Sequence, residues 1–352
     1  MRVSLGVLGF WRTPRSLTAA LTAALLAAAA TWGIAAAPGE AATITFKCST
    51  ATLNDVQHEW CKRYGARLEK RSNGRIKAQT FPANQLGSIP RQIEGVQLGT
   101  IESWIGPPEF LVGIDSRFQV LTAPYLFNDM DHAYRVINDR EFLDKFLVLA
   151  EGKGVKGVSL IVYGPAGFNS RTPVRTPDDL RGKKIRVLAT PIETAMMAAL
   201  GATGVPMPLG EVLPALQQGA LDGVESSLTV FTTFKYYDVA KWHTNTNHYT
   251  ITSIATVSKK WYDGLPADLQ RAVVEEGRAV HAELLDWTKN FYNQGVTVWK
   301  EKTKDGWIEL TAEQRAAFRK PMEGVDEKVA GQVAGVKEWL DLLRAKSKQH
   351  AK

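Results

Sequence analysis

Apolar and polar positions along this chain follow two rhythms. Through the first two thirds, short apolar runs alternate with stretches of helical spacing. Ile44–Cys48 reads as a strand. Asn54–Arg71 reads as a helix, with Val56, Trp60, Tyr64 and Leu68 one turn apart on one face, and Ser72-Asn73-Gly74 ends it. Ile76–Phe81 is a second strand, Pro90–Leu98 a helix with Gly99 just beyond it, and Ile101–Ile105 another strand. Val155–Tyr163 is almost continuously apolar, as expected of a strand covered on both faces. Thr176-Pro177-Asp178-Asp179 opens a helical turn: Thr caps it, Pro takes the first helical position, and the acids suit the positive end of the helix dipole. Strands are expected at Lys184–Leu188, Val205–Met207, Gly223–Glu225 and Ile251–Val257, with helices from Thr190 to Leu200 and over Glu211–Gln218. The second rhythm begins at Pro266. Pro266–Lys302 is amphipathic and unusually long for one helix, so a kink is expected. Thr311-Ala312-Glu313-Gln314 is a capping box for a further helix, and Lys346–Lys352 reads as a frayed basic tail. Repeated strand–helix–strand units predict an α/β fold with mostly parallel sheets.

The N-terminus follows neither rhythm. Arg2, Arg12 and Arg15 precede an apolar run from Leu17 to Ala30, and Pro38-Gly39 and small residues follow to Ala41–Ala42. This is the layout of a secretory signal peptide, expected over residues 1–41 and cleaved. The rival reading, an uncleaved anchor, is disfavoured because the run is short for a span of about 20 residues. The mature chain of about 310 residues is therefore expected in an extracytoplasmic space, with room for two domains. The chain carries 43 basic and 36 acidic residues, a net +7, of which about +5 belongs to the mature part. No basic run is interleaved with aromatics, so no nucleic-acid partner is expected. Cys48 and Cys61 are the only cysteines; a disulfide and two buried thiols both remain open.

Catalytic signatures are missing. The chain has no H-E-x-x-H, C-x-x-C or G-x-S-x-G motif and no Walker or Rossmann glycine pattern, and its six histidines lack metal-ligand spacing. No cofactor, no metal and no enzymatic activity are expected. A secreted hydrolase built on carboxylates such as Glu211 and Glu225 is the disfavoured alternative.

Three ordered stretches resemble the solute-binding proteins of tripartite ATP-independent periplasmic (TRAP) transporters. The first runs from Ser72-Asn73-Gly74-Arg75-Ile76 through Phe81-Pro82-Ala83-Asn84-Gln85-Leu86-Gly87 to Glu94-Gly95-Val96-Gln97-Leu98-Gly99. The second is Pro124-Tyr125-Leu126-Phe127 with Asp131-His132-Ala133 after it. The third runs from Thr176-Pro177-Asp178-Asp179-Leu180-Arg181-Gly182-Lys183-Lys184-Ile185-Arg186-Val187 to Glu211-Val212 and Ala215–Glu225. Trp261-Tyr262 with Leu265-Pro266 also fits. The resemblance implies a two-lobed periplasmic-binding-protein fold with a ligand cleft at the hinge and a long helix bracing both lobes. Lobe 1 would hold residues 43–163 plus 252–292, lobe 2 residues 164–251 plus 293–345, and 346–352 the tail. It implies a chain that captures a small organic-acid anion and delivers it to TRAP membrane permease subunits, as a monomer or a homodimer. A receptor of the same fold that reports ligand to a membrane signalling protein is the alternative.

Arg186 is the expected carboxylate ligand. Ile185 and Val187 alternate with it, so its side chain leaves the strand on the opposite face. A guanidinium grips a carboxylate through two parallel hydrogen bonds, and the family resemblance assigns this arginine that role. Glu211, Glu225 and Ser226 from the second lobe, and Ser49, Thr50 and Gln85 from the first, are further ligand candidates. Trp104, Phe168 and Phe231 suit an apolar ligand body. Two positions depart from the family pattern: Ala166 stands where a second ligand-facing arginine is often found, and Ser226 where an asparagine is frequent. Both departures point to a monocarboxylate with few hydroxyls.

Overall fold

Val56, Trp60, Tyr64 and Leu68 are fully buried along one face of α1 (Val56–Arg71), the stripe that their spacing predicts. The computed structural model describes Thr43–Ala351, so the expected signal segment, residues 1–41, lies outside the described residues. Asp55 caps α1 by accepting from the backbone N–H groups of Gln57 and His58. At the other end Asn73 and Gly74 take φ of 52° and 79° and turn the chain into β2 (Ile76–Phe81), which lies parallel to β1 (Ile44–Ser49). Cys61 on α1 is bonded to Cys48 on β1 with Cα atoms 5.7 Å apart, so of the two open readings the disulfide is realised.

After α2 (Ile89–Leu98) come β3 (Ser103–Gly106), α3 (Met130–Ile137) and α4 (Arg140–Phe146). β4 spans Val155–Ser170 and is nearly twice as long as expected. Gly164 and Pro165 look like an ending in sequence. In the fold Gly164, at φ 155°, carries the strand onward. The second half of the chain adds β5 (Lys184–Val187), α5 (Pro191–Ala199), β6 (Thr203–Pro206), α6 (Leu209–Gln217), β7 (Gly223–Ser227) and α7 (Leu228–Thr233). Then follow β8 (Trp242–Asn245) and β9 (Thr250–Ser258), neither separated from the other by a helix.

The strands order as β2-β1-β3-β9-β4-β7-β5-β6, with β8 on β4 and β10 (Trp307–Glu309) on β8. β4 pairs with β9 from Val155 to Pro165 and with β7 from Ala166 to Ser170, so it belongs to two successive sheets. The outer pairs β1–β2, β1–β3, β5–β6 and β5–β7 are parallel, as the βαβ alternation predicts. The centre, where β9 meets β3 and β4 and where β4 meets β7, is antiparallel. That part was not legible because β9 enters without a crossover helix.

After α8 (Lys259–Asp263), α9 runs without interruption over 37 residues, Ala267–Thr303, about 55 Å at 1.5 Å per residue. Its N-terminal part packs on the first sheet: Tyr64 donates to the Val273 carbonyl at 2.8 Å, Arg67 pairs with Glu276 at 2.6 Å, and a Cβ on Gly277 would stand 3.0 Å from the Val158 carbonyl. Its C-terminal part reaches the second, where Trp299 packs among Phe231, Tyr237 and His243. The expected brace is thus present. α10 (Ala312–Met322), capped by Thr311 and Gln314, and α11 (Val325–Ala330) lead to α12 (Val336–Gln349).

The expected frayed tail is instead the end of α12. Lys346 pairs with Asp139 at 3.1 Å and Glu141 at 2.8 Å, and Ser347 donates to the Leu126 carbonyl at 2.6 Å. α12 therefore docks on chain that precedes β4, because acids at the start of α4 meet its basic last turn. Among the described residues no helix is long and apolar enough to cross a membrane.

Candidate functional site

Arg186 sits in the middle of β5. Ile185 and Val187 are fully buried on one face, and the arginine, only 2% exposed, leaves on the other. Such burial is costly unless the charge is met. Its Nε donates to the Met207 carbonyl at 2.9 Å, and Nη1 makes only a long contact, 3.5 Å, to the Glu225 carbonyl. Both partners are main-chain oxygens, so the guanidinium is anchored at one edge without being neutralised.

The guanidinium lines a narrow cleft with a cavity volume of about 30 Å³. Trp104 on β3 and Ser226 on β7 line the same cleft, together with Thr52, Gln57 and Tyr163. The segment after β1, the start of α1, β3 and β4 thus supply one wall, and β5 and β7 the other, at the join between the two sheets. Open α/β sheets place ligands in this kind of position, beyond strand ends.

The Thr52, Gln57 and Tyr163 side chains form one network around Asp55. Tyr163 donates to Asp55 at 2.6 Å, Thr52 donates to Asp55 at 2.7 Å, and Asp55 is itself the α1 cap. Gln57 accepts from Thr50 at 2.8 Å and donates to Ser253 at 3.0 Å. Sequence reading missed these three cleft residues. The capping Asp55 two positions before Gln57 was the available local signal; the partner Tyr163 is 108 positions away.

Several expected site residues lie elsewhere. On β7 the side chains alternate, so Ser226 reaches the cleft and Glu225 faces away, 3.7 Å from His248. Glu211 and Gln85 are exposed outside the cleft lining. Ser49 is spent on the Ser103 carbonyl at 3.1 Å, and Thr50 contributes only by holding Gln57. Phe168 stacks on His248 with centroids 5.0 Å apart, and Phe231 packs against Tyr236 and Trp299. Both are core. Ala166 is buried in β4 opposite Ser227, leaving Arg186 as the one charged side chain in the cleft lining.

Two buried acids, Glu109 and Glu225, lie within electrostatic reach of Arg186, and a third, Glu193, within reach of both. Glu193 is fully committed: its carboxylate accepts from the Ala189 and Thr190 backbone N–H groups and from the Tyr249 hydroxyl at 3.0 Å. Glu109 and Glu225 are fully buried, and neither carboxyl has a hydrogen-bond partner. Burial first, then the nearby Glu193 charge, raises both well above the usual carboxylate range, with Arg186 opposing. Their neutral forms are thereby favoured, and neutral acids do not offset a guanidinium. Burial likewise pushes His248 down to about 3, so it adds no charge.

Comparison with known proteins agrees with this architecture. Residues 48–332 match the family model described as bacterial extracellular solute-binding protein, family 7. The chain is 32% identical over 341 residues to the 2,3-diketo-L-gulonate-binding periplasmic protein YiaO of Escherichia coli, covering 94% of this chain and 98% of that one. It is 29% identical to the C4-dicarboxylate-binding periplasmic protein DctP of Rhodobacter capsulatus, covering 90% and 96%. Among solved structures, a TRAP periplasmic solute-binding protein from Desulfovibrio salexigens with bound orotic acid superposes with a TM-score of 0.83 at 24% identity, covering 88% of this chain and all of that one. The two-lobed fold is shared with it. With a family model spanning most of its length and a relative matched almost end to end, the chain belongs to family 7 of the bacterial extracellular solute-binding proteins.

Proposed function

We propose that the protein captures a small organic-acid anion in this cleft, with Arg186 gripping the carboxylate, and delivers it to a TRAP-type membrane permease on the outer side of the cytoplasmic membrane. The observation that carries this reading is the buried guanidinium of Arg186, held by main-chain carbonyls alone and facing the cleft at the join of the two sheets. An arriving carboxylate supplies the missing counter-charge and accepts the remaining N–H groups in a bidentate grip. The named ligands of relatives, a diketo sugar acid and C4-dicarboxylates, are anions of this kind. Family 7 comprises solute-binding proteins, and no chemistry on the ligand is proposed here.

The lobes divide where β4 changes sheet, near Gly164, and where β9 begins, near Ile251. The cleft lies at this division. Ligand capture closes the lobes around the anion, and the permease receives it when they part.

Calorimetry with a bound acid tests the assignment. Arg186→Ala is expected to weaken binding by about 2–5 kcal/mol, since it leaves a buried carboxylate unpaired. Arg186→Lys keeps the charge but loses the fork and is expected to weaken binding as well. An Arg186→Ala protein with unchanged affinity overturns the reading.

A further inference from the structure

The polar groups on the cleft wall are unevenly spent. Tyr163 and Thr52 donate to Asp55, the Gln57 oxygen accepts from Thr50, and its amide nitrogen donates to Ser253. Gln57 Oε1 is the one side-chain oxygen among Thr52, Gln57 and Tyr163 that is purely an acceptor, and Thr50 already occupies one of its lone pairs. Donors are in surplus. The indole N–H of Trp104 is buried, 99% out of solvent, and has no acceptor in the protein. A buried donor without a partner is costly, so its retention in a ligand cleft asks for an explanation. Arg186 adds N–H groups, and the Ser226 hydroxyl can donate or accept.

This balance discriminates among organic acids. A sugar acid brings many hydroxyls, each with a hydrogen that needs an acceptor, and the lining side chains offer only the Ser226 hydroxyl and oxygens already tied into the Asp55 network. A dicarboxylate brings a second negative charge, and Arg186 is the one charged group in the lining. The remaining surface is apolar: Phe110, Leu188, Leu209, Val230 and Ile251.

Building on the carboxylate reading above, we infer that the cleft selects a 2-oxo monocarboxylate with a compact apolar chain, Arg186 holding the carboxylate and the Trp104 indole donating to the adjacent acceptor oxygen. Trp104 is then a specificity-determining residue. Its ring is fixed for this task by Gly106, where any Cβ would overlap the indole.

A ligand panel on the mature protein tests the inference by calorimetry: 4-methyl-2-oxopentanoate, its deoxo analogue 4-methylpentanoate, 2-hydroxy-4-methylpentanoate, succinate and gluconate. The oxo acid is expected to bind most tightly, with the deoxo analogue about tenfold weaker and succinate and gluconate weaker still. Trp104→Phe is expected to lower affinity for the oxo acid about tenfold and leave that for the deoxo analogue nearly unchanged. Tighter binding of succinate or gluconate overturns the ligand class, and an equal loss for oxo and deoxo acids in Trp104→Phe overturns the indole's role. The wild-type panel decides the class even if Trp104→Phe fails to fold. The carboxylate reading itself fails separately, if Arg186→Ala binds whichever acid is tightest as well as the wild type does.

Discussion

Tyr163 donates its phenolic hydrogen to Asp55 across 2.6 Å, with both side chains buried. The bond joins β4 to the first turn of α1, and Thr52 and Gln57 hang from the same carboxylate. One acid therefore caps a helix and sets one wall of the cleft. Asp55→Ala removes the cap, worth about 1 kcal/mol, and leaves a buried phenol unpaired, about 1–3 kcal/mol more. Urea unfolding is expected to show a total loss of about 2–4 kcal/mol, with Asp55→Asn retaining more stability because it keeps an acceptor. A loss below about 1 kcal/mol for Asp55→Ala contradicts this account.

Gly106 lies under the Trp104 ring so closely that a Cβ there would overlap it. Gly106→Ala must displace the indole or the strand, and overpacking of this kind costs about 1–3 kcal/mol. The expected outcome is lower thermal stability together with weakened ligand binding, read by a thermal melt and by titration on the same sample. Unchanged affinity in a protein that melts normally would show that the ring's position does not matter.

The Cys48–Cys61 bond closes a loop of 13 positions between the first strand and the helix beneath it. Loops of that length gain about 2–4 kcal/mol from cross-linking. The double variant Cys48→Ser/Cys61→Ser is expected to lose stability in that range, and dithiothreitol should lower the melting temperature of the wild type but not of the variant. Equal sensitivity of both proteins to the reductant counts against the bond.

Glu109 is fully buried with no hydrogen-bond partner, and Glu193, Glu225 and Arg186 face it. Burial, reinforced by Glu193, raises its proton affinity above that of the unfolded chain. A raised folded-state pKa means that folding takes up a proton, so this group's contribution is complete below the ordinary carboxyl value of about 4.3 and is lost as pH climbs through the folded value. Glu109→Gln fixes the neutral state. Its advantage over the wild type in thermal melts is expected to be near zero at pH 4.5 and to grow toward pH 8. A difference that does not change with pH would refute the assignment.

Much of the site was legible, and strand parity explains both the success and the failure. Arg186 stood out because a guanidinium between two buried apolar neighbours must leave the opposite face. The same parity separates Ser226 from Glu225, and applying it to β7 would have sent only the serine into the cleft. Trp104 was visible as an aromatic near a strand end. Tyr163 was not: its role depends on Asp55, far away in sequence, and an apolar run gives no sign of which member meets a polar partner. The helices were read well where caps and apolar stripes coincided, as at α1. The tail was misread because its lysine and histidine pair with Asp139 and Glu141, contacts that composition alone does not disclose.

β4 runs through both sheets as a single backbone, with register irregularities between Gly157 and Ser159 and between Val162 and Gly164. Pulling the halves directly apart would tear rungs from one ladder or the other. A hinge at Gly164 would therefore turn the halves about the shared strand rather than part them, with Trp104 carried on one side of the axle and Arg186 on the other.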